Sequence, residues 1–269
     1  MKQYYRVLTI AGSDSGGGAG IQADLKTISA CGCFGTSAIT AITAQNTLGV
    51  TAIHAIPVIT LEAQIRAVLD DIGTDAVKLG MLHSVEVIEC VARLLAEYKI
   101  SNIVLDPVMV ATSGDKLIQD EAISALQELL FPLTRLITPN IPEAEIISGQ
   151  KISNKDQLGE TAEQLARRFN LSVMAKGGHL EHDSLTDFLY DLEMSRLHRF
   201  TQQKVVTKNT HGTGCTLSSA LASYLARGLS LADASDRAID YISSSLKAGA
   251  RYQLGKGHGP VHHFHKFWY

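Results

Sequence analysis

The stretch 6–20, RVLTIAGSDSGGGAG, joins an apolar run to a glycine-rich turn. Residues 6–11 have the continuous apolar pattern of a buried strand, and a helical pattern follows over about residues 21–30. A strand, a glycine turn and a helix in this order form the ligand-binding corner of an open α/β sheet. The glycine spacing fits neither G-x-G-x-x-G nor a P-loop, so the segment supports neither a dinucleotide-binding protein nor a P-loop NTPase.

A second glycine-rich stretch, NTHGTGCT at 209–216, precedes the apolar helical run 217–225. Its glycines let successive backbone N–H groups point the same way, and the helix adds the positive end of its dipole. This arrangement suits a phosphate or the charge that develops on one. Cys215 falls at the helix N-terminus, where thiol pKa values are lowered. Taken alone, the segment is equally consistent with an ordinary helix cap and a buried cysteine.

Strand-like and helix-like segments alternate along the chain, which predicts an α/β protein with a mainly parallel sheet covered by helices on both sides. We read one domain over residues 1–269, with segments 186–191 and 196–207 as a β-hairpin at one edge. The predicted strands are 6–11, 36–44, 76–81, 102–106, 135–138, 172–176, 186–191 and 203–207. The predicted helices are 20–31, 61–72, 85–98, 120–130, 142–148, 155–169, 214–227 and 231–252.

Two of these helices begin at a capping pattern, a serine followed three residues later by an acid. Ser153 with Asp156 and Ser230 with Asp233 both fit it.

Composition excludes several classes of partner. The net charge is −3 and no basic block stands out, so nucleic acid is not an expected partner. No apolar run reaches the roughly 18 residues that span a bilayer, and the first strand follows the N-terminus without a signal-peptide pattern. The four cysteines include no CxxC pair, which favours reduced thiols in a cytoplasmic protein. For Cys31 and Cys33, simple packing is favoured over a metal or redox pair.

Polar or glycine residues follow six predicted strands, and the carboxyl ends of parallel strands meet at one rim. These residues are 12–20, 45–46, 80–81, 106–108, 138–140 and 176–179. Phosphoryl transfer needs a metal, cationic or N–H donors and exclusion of water. Asp106 and Glu143 are candidates for binding Mg²⁺; the alternative for both is a helix cap or a solvated charge. Lys176 is a candidate for binding a nucleotide phosphate; the alternative is a surface lysine beside a turn. The loop 112–115 is a candidate lid or a plain turn.

Eight segments occur in an order that resembles the ribokinase-like kinases, and closely the hydroxymethylpyrimidine/phosphomethylpyrimidine kinases of thiamine biosynthesis. They are AGSDSGGGAGIQADLKT, TAITAQNT, VKLGM, DPVMVATSG, TPNIPEAE, KGGH, HGTGCTLSSA and GHGPVHHF. The resemblance covers essentially the whole chain. It implies a three-layer α/β/α sandwich and Mg-ATP-dependent phosphorylation of 4-amino-5-hydroxymethyl-2-methylpyrimidine, then of its monophosphate. It further implies a homodimer and leaves a monovalent cation open.

The resemblance also implies the site residues. Asp24 and Gln45 would grip the pyrimidine, in a pocket lined by Gly12, Ala19, Met81 and Val108. Asp24 has an alternative as a first-turn helix acid, and Gln45 as a strand-end amide. Lys176, Asn140 and Thr213 would bind the nucleotide, with Asp106 and Glu143 at the metal and Gly212, Gly214 and Cys215 at the reacting groups.

Cys215 occupies the position of the catalytic aspartate in the sugar-kinase branch of this superfamily. A thiolate there would accept the hydroxymethyl proton, whereas the phosphate nucleophile of the second step needs no base. We therefore expect a Cys215→Ala substitution to slow the first step far more than the second.

Three alternatives remain at this point. A pyridoxal kinase has the same fold and also acts on a small heteroaromatic alcohol. A thiol hydrolase would pair Cys215 with His211, and a third reading is a non-catalytic nucleotide-binding protein. The histidines of the tail, 258–265, are interpreted as part of a structural cap near the active site in preference to a metal site.

Overall fold

The computed structural model describes residues 2–109, 120–178 and 184–268. Its nine described strands form a single sheet in the order β3-β2-β1-β4-β5-β6-β7-β8-β9. The strands are β1 (Arg6–Asp14), β2 (Phe34–Asn46), β3 (Gly49–Ala55), β4 (Ala76–Leu79), β5 (Ile103–Leu105), β6 (Leu136–Ile137), β7 (Ser172–Ala175), β8 (Ser184–Asp191) and β9 (Arg196–Gln203).

Helices cover both faces of this sheet. The helices are α1 (Gly20–Ala30), α2 (Val58–Asp71), α3 (Val85–Glu97), α4 (Asp120–Ala125), α5 (Ile141–Ser148), α6 (Lys155–Phe169), α7 (Thr213–Ala226) and α8 (Leu231–Gly249). Helices α1, α7 and α8 pack on one face, and α2 to α6 lie on the other. Adjacent strand residues alternate between the two faces of the sheet. Val104 packs in the core beneath α1, α7 and α8, whereas its neighbours Ile103 and Leu105 pack in the core beneath α2 to α6. The predicted three-layer α/β/α sandwich is confirmed.

Six strands run parallel, namely β2, β1, β4, β5, β6 and β7. Their carboxyl ends therefore share one rim, as the sequence predicts. The hairpin at the far edge is also confirmed, since β8 pairs antiparallel with both β7 and β9.

Several predicted boundaries are wrong. The last strand lies at Arg196–Gln203 and not at 203–207. Strand β3 is missing from the prediction; it pairs antiparallel with β2, and Thr51 and His54 interrupt its apolar residues, so it is not the continuous apolar run that marks the buried strands. Helix 120–130 changes after Ala125 into a π-helical turn over Leu126–Leu130.

The two predicted caps differ in outcome. Ser230 Oγ accepts from the backbone N–H of Asp233 and caps α8, as predicted. The cap of α6 is Asn154 and not Ser153, because the Asn154 side chain accepts the N–H of Gln157 at 2.9 Å. Ser153 instead donates its backbone N–H to the Gln157 side chain.

Among the described residues, no helix combines the length and the apolarity that crossing a membrane requires.

Candidate active site

The loop 209–212 brings the two ends of the chain together at the start of α7. Gly212 is the N-cap and has a left-handed backbone, with φ of 80°. A Cβ at this position would overlap the carbonyl oxygen of Gly18, so only glycine permits so close an approach of the two loops. Thr213 follows as the first residue of the helix.

The N-terminus of α7 offers backbone donors that no described residue accepts. The backbone amides of Gly214 and Cys215 make no hydrogen bond to another residue of the described chain. Gly214 also faces two predicted partners, because a Cβ there would lie 3.2 Å from Asp106 Oδ2 and 3.6 Å from Lys176 Nζ. The structure therefore brings Asp106, Lys176 and the glycine loop to one point.

Asp106 and Lys176 form a buried ion pair. Asp106 Oδ1 accepts from Lys176 Nζ at 2.9 Å and from Thr138 Oγ1 at 2.8 Å. Burial raises the pKa of Asp106, but the charges of Lys176 and Lys78 outweigh it and hold that pKa below its ordinary value. Burial likewise lowers the pKa of Lys176, and the carboxylates of Asp106 and Glu143 more than reverse this. Both groups keep their charge.

Glu143 lies beside this pair at the N-terminus of α5. It shares a capping box with Asn140: Asn140 Oδ1 accepts the Glu143 N–H at 2.9 Å, and Glu143 Oε2 accepts the Asn140 N–H at 2.8 Å. The helix cap that the sequence left open as an alternative role for Glu143 is therefore present. Burial raises the pKa of Glu143 to about 7, with Asp106 acting in the same direction and Lys176 against it. The carboxylate can therefore change protonation near neutral pH.

The predicted lowering of the Cys215 pKa is wrong in this structure. Burial raises the pKa of the Cys215 thiol to about 11, and the carboxylates of Asp24 and Asp106 add to the rise. Lys78 and a hydrogen bond from the Gly20 N–H oppose it without reversing it. Desolvation of the thiolate outweighs the favourable position at the start of the helix.

Asp24 meets protein side chains on every side in this structure, and its contact with the pyrimidine stays a prediction. Its side chain is fully buried within α1. The carboxylate accepts from Thr9 Oγ1 at 2.6 Å, from Lys78 Nζ at 2.9 Å and from Ser219 Oγ at 2.7 Å. The carboxylate therefore holds Lys78 and two hydroxyl groups together inside the core.

The other predicted pocket residues lie along the rim. Gly12 and Met81 are in contact, since a Cβ at Gly12 would lie 2.7 Å from Met81 Cε. Ala19, Gln45 and Val108 are half-buried. Gly12 lies on β1, Gln45 on β2 and Ala19 at the N-cap of α1, whereas Val108 follows β5, two residues after Asp106.

Asp14 and His211 form a pair that is absent from the predicted site residues. Asp14 is buried and accepts the N–H groups of Gly16, Gly18 and Ala19, at 2.8, 3.0 and 2.8 Å. His211 Nε2 lies 2.9 Å from Asp14 Oδ2. An acid two residues ahead of three consecutive glycines was the signal available in the sequence. Because the histidine is paired with Asp14, the geometry gives no support to a thiol hydrolase built on Cys215 and His211.

Lys78 is the second missed residue. It is fully buried, and the pairing with Asp24 keeps its pKa raised although burial lowers it. A lysine inside the apolar run AVKLG was a visible signal, since a buried lysine needs a charged partner.

The C-terminal tail packs against the helices behind Cys215. Buried His263 lies with Nε2 3.2 Å from Thr216 Oγ1, and its carbonyl oxygen accepts from Tyr241 at 2.7 Å. Burial lowers the pKa of His263 to about 3, so the ring stays neutral. This agrees with a structural cap.

The cysteine pair Cys31 and Cys33 packs in the core, whereas the candidate lid 112–115 is not among the described residues. Cys31 and Cys33 are free, buried and part of the core, as expected from packing. In the ranges that the structure describes, no three His, Cys, Asp or Glu side chains gather as a metal site. The candidate lid 112–115 and His179 lie outside those ranges.

Comparison with known proteins identifies the family. The family model for phosphomethylpyrimidine kinase matches residues 14–262. The chain belongs to this family. It is 47% identical to the hydroxymethylpyrimidine/phosphomethylpyrimidine kinase of Bacillus subtilis, covering 97% of this chain and 95% of that protein. It is 50% identical to the thiamine biosynthesis bifunctional protein ThiED of Geobacter sulfurreducens, but spans only 52% of that longer protein.

Solved structures give the same fold. A phosphomethylpyrimidine kinase from Clostridium difficile has a TM-score of 0.80 at 44% identity, over 90% of this chain and 99% of that chain. The ADP complex of a Bacillus subtilis pyridoxal kinase has a TM-score of 0.88 at 36% identity, over 97% of this chain and 98% of that chain. Backbone shape therefore does not separate the two kinase types, whereas sequence identity favours the pyrimidine kinases. The predicted family and ribokinase-like fold are confirmed, and with them the kinase class.

Proposed function

We propose that this protein uses ATP to phosphorylate 4-amino-5-hydroxymethyl-2-methylpyrimidine and then its monophosphate, as in thiamine biosynthesis. The observation that carries this proposal is the meeting of Asp106, Lys176 and the free amides of Gly214 and Cys215 at one helix N-terminus. Fixed N–H donors and a buried lysine are suited to the charge of a phosphoryl group in transfer. Family membership supplies the substrate class.

In the first step the hydroxymethyl oxygen bonds to the γ-phosphorus, and the bond from that phosphorus to the bridging oxygen of ADP breaks. The hydroxyl proton passes to Cys215 Sγ, which must be a thiolate to accept it. A thiol with a pKa of about 11 is mostly protonated at neutral pH. The first step should therefore quicken as the pH rises. In the second step a phosphate oxygen is the nucleophile, and it needs no base.

The side chains at the phosphate end fit Mg²⁺. Asp106 and Glu143 offer oxygen ligands, and Asp106 Oδ2 has no hydrogen-bond partner among the described residues. Mg²⁺ is commonly held by one or two carboxylates together with water and substrate phosphates. When bound, it would neutralise charge on the phosphates. Lys176, Asn140 and Thr213 would face the nucleotide, and the related pyridoxal kinase of Bacillus subtilis has a solved ADP complex. Dependence on a monovalent cation stays a prediction, tested by comparing rates in K⁺ and Na⁺.

We also propose a homodimer, a single domain over 1–269 and a cytoplasmic location. Support for the homodimer comes from the edge strand β3, where large apolar side chains are exposed at Val50 and Ile53, with Ile59 beyond it in α2. One sheet that takes strands from residue 6 to residue 203 supports the single domain. Free thiols at all four cysteines are compatible with a reducing compartment.

The test is the mass of the products after incubation with Mg-ATP and the pyrimidine alcohol, with pyridoxal in a parallel reaction. We expect one phosphate and then a second on the pyrimidine. Phosphate on pyridoxal alone would keep the site but contradict the proposed substrate. Consumption of neither substrate would contradict the kinase proposal as a whole.

A further inference from the structure

Lys78 is a buried charge to which the proposed reaction gives no part. Its side chain has no exposed surface, and its ammonium donates to Asp24 Oδ2 at 2.9 Å. An ammonium carries three hydrogens, and no other described residue accepts one from Lys78. Such a cation is costly in a core, because desolvation disfavours its charge. Lys78 therefore lies where a further anionic neighbour would be stabilised.

The register of the sheet places Lys78 on the face that carries α1 and α7. Lys78 pairs with Thr9 of β1 and Val104 of β5, and Val104 packs beneath those helices. Gly80, two residues further along β4, faces the same side. A Cβ at Gly80 would lie 2.8 Å from Lys78 Nζ, so the ammonium occupies space that any larger residue there would take. The charge therefore lies close beneath the rim, at the carboxyl end of β4.

Helices α1 and α7 meet over this charge at two levels. At the rim, the Gly20 N–H donates to Cys215 Sγ. One turn further into each helix, Ser219 Oγ donates to Asp24 Oδ1 at 2.7 Å. Residues four apart lie one above the other on a helix, so Asp24 is beneath Gly20 and Ser219 is beneath Cys215. Because Lys78 binds Asp24 at the lower level, Cys215 lies about 5 Å nearer the rim along α7.

Four charged side chains act on the Cys215 thiol. They are Lys78 from β4, Asp24 from α1, Asp106 after β5 and Lys176 after β7. The two carboxylates disfavour a thiolate, whereas Lys78 favours it and has the largest effect of these charges. In return, Asp24, Cys215 and Asp106 hold the pKa of Lys78 above its ordinary value. Lys78 therefore stays protonated when Cys215 loses its proton.

We propose that Lys78 is a positioning residue for the first phosphorylation, in which its ammonium stabilises the Cys215 thiolate that accepts the hydroxymethyl proton. The inference rests on the proposed function. The substrate proton moves to Sγ as the hydroxymethyl oxygen bonds to the γ-phosphorus and the bond from that phosphorus to ADP breaks. The thiol then releases the proton to solvent, and Lys78 keeps its own throughout. The second phosphorylation needs no thiolate, so it does not need Lys78.

A comparison of the two phosphorylations tests this role. Lys78→Met has a similar length and no charge. We expect it to slow the first step about tenfold near pH 8 and to move the alkaline rise of that step up by about one pH unit, because a nearby opposite charge shifts a pKa by at least this much. The second step should keep its rate. Thr9→Val, which removes another hydrogen bond to Asp24 but no charge, is the matched control and should change neither step.

The reactivity of the thiol tests the same charge without substrate. Cys215 is half-buried and the other three cysteines are buried, so its alkylation by iodoacetamide, located by mass spectrometry, reports the thiolate. Asp24→Asn removes a like charge and should quicken alkylation at pH 8 about threefold. The double variant Lys78→Met with Asp24→Asn leaves neither charge of the pair in the core. It should react about tenfold more slowly than Asp24→Asn.

Two results would overturn the proposal. One is an equal alkylation rate in folded Asp24→Asn and in the folded double variant. The other is an equal loss in both phosphorylations of Lys78→Met with an unshifted pH profile, which would give Lys78 a purely structural role. If the wild-type protein phosphorylates neither the pyrimidine alcohol nor pyridoxal, the proposed function fails, and the alkylation rates still decide whether Lys78 stabilises the thiolate.

Discussion

Helices α1 and α7 both begin at a glycine-rich loop, and the two loops touch at Gly18 and Gly212. At α1 the amides of the loop are already occupied, because Asp14 accepts from Gly16, Gly18 and Ala19. At α7 the amides of Gly214 and Cys215 have no acceptor within the described chain. The same kind of sequence thus builds one site filled by the protein's own carboxylate and one open to an external anion.

Helix α5 supports this contrast. Its N-terminus is filled by Glu143 through the capping box with Asn140, as α1 is filled by Asp14. At α7, by contrast, the first turn holds no acid, and no described residue accepts the backbone amides of Gly214 and Cys215. A helix N-terminus therefore indicates a ligand site only when no resident acid occupies it.

The largest expected effect comes from removing the reactive group at the open helix. Cys215→Ala should slow the first phosphorylation by about 100- to 1000-fold, because the hydroxyl loses its base, and the second by less than about tenfold. Single-turnover rates with the alcohol and with the monophosphate, measured on the same preparation, check this. Equal losses in both steps would assign Cys215 a positional role.

The pH profile of the first step sharpens the same prediction. With a thiol pKa of about 11, the wild-type rate should rise through the alkaline range. The rise should be absent in Cys215→Ala and in the second step of the wild type.

The next largest effect comes from a substitution that forces the two glycine-rich loops apart. In Gly212→Ala, the new methyl group would overlap the Gly18 carbonyl oxygen, and the residue would have to keep φ near 80°. We expect both phosphorylations to fall about 100-fold, since misplacement of a site by roughly 1 Å costs about that much. Gly228→Ala, where φ is also near 80° but a Cβ meets nothing within 4 Å, is the control. Full activity of the Gly212 variant would show that the close approach is dispensable.

Glu143, which caps the N-terminus of α5, provides a test through the pH dependence of stability. Its pKa is about 7 in the folded protein against an ordinary 4.5, so between these values the folded state holds a proton that the unfolded state has lost. The free energy of unfolding should therefore fall by about 3 kcal/mol from this group as the pH rises from 4.5 to 7 without Mg²⁺. Urea unfolding of wild type and Glu143→Gln at several pH values would measure it.

Glu145→Gln is the control for that experiment, because the opposite sign is expected there. The Ile152 N–H and Lys151 hold the pKa of Glu145 below its ordinary value, so its contribution to stability appears as the pH rises. A Glu143 variant with the same pH dependence as the wild type would contradict the assignment.

The smallest effect comes from weakening the filled loop. Asp14→Asn removes the charge that three amides and His211 surround, and should lower the free energy of unfolding by about 1 to 2 kcal/mol at pH 7. Burial raises the Asp14 pKa, but its hydrogen bonds keep it below the ordinary value, so the loss should shrink as the pH falls through that folded-state pKa. Asp156→Asn, an exposed first-turn acid in α6, should cost less. Equal losses in the two variants would remove the distinction.

The layers of the fold could be predicted from the sequence because buried parallel strands are continuous apolar runs, such as Ile103 to Leu105. Strand β3 could not, since Thr51 and His54 interrupt its apolar residues. The meeting of Asp106 with Lys176 followed from their places at strand ends.

The electrostatics of the site were harder to predict. Position at a helix start suggested a lowered Cys215 pKa, but burial depends on tertiary packing and reverses it. The same holds for Asp24, whose neighbours Lys78 and Ser219 come from distant parts of the chain.

The most direct test of the contrast between α1 and α7 is a backbone amide spectrum of ¹⁵N-labelled protein with Mg-ADP, aluminium fluoride and the pyrimidine alcohol, a mimic of phosphoryl transfer. The amides of Gly214 and Cys215 should shift strongly, whereas those of Gly16 and Gly18, which are bonded to Asp14, should shift much less. Strong shifts at Gly16 and Gly18 with none at Gly214 and Cys215 would contradict the account.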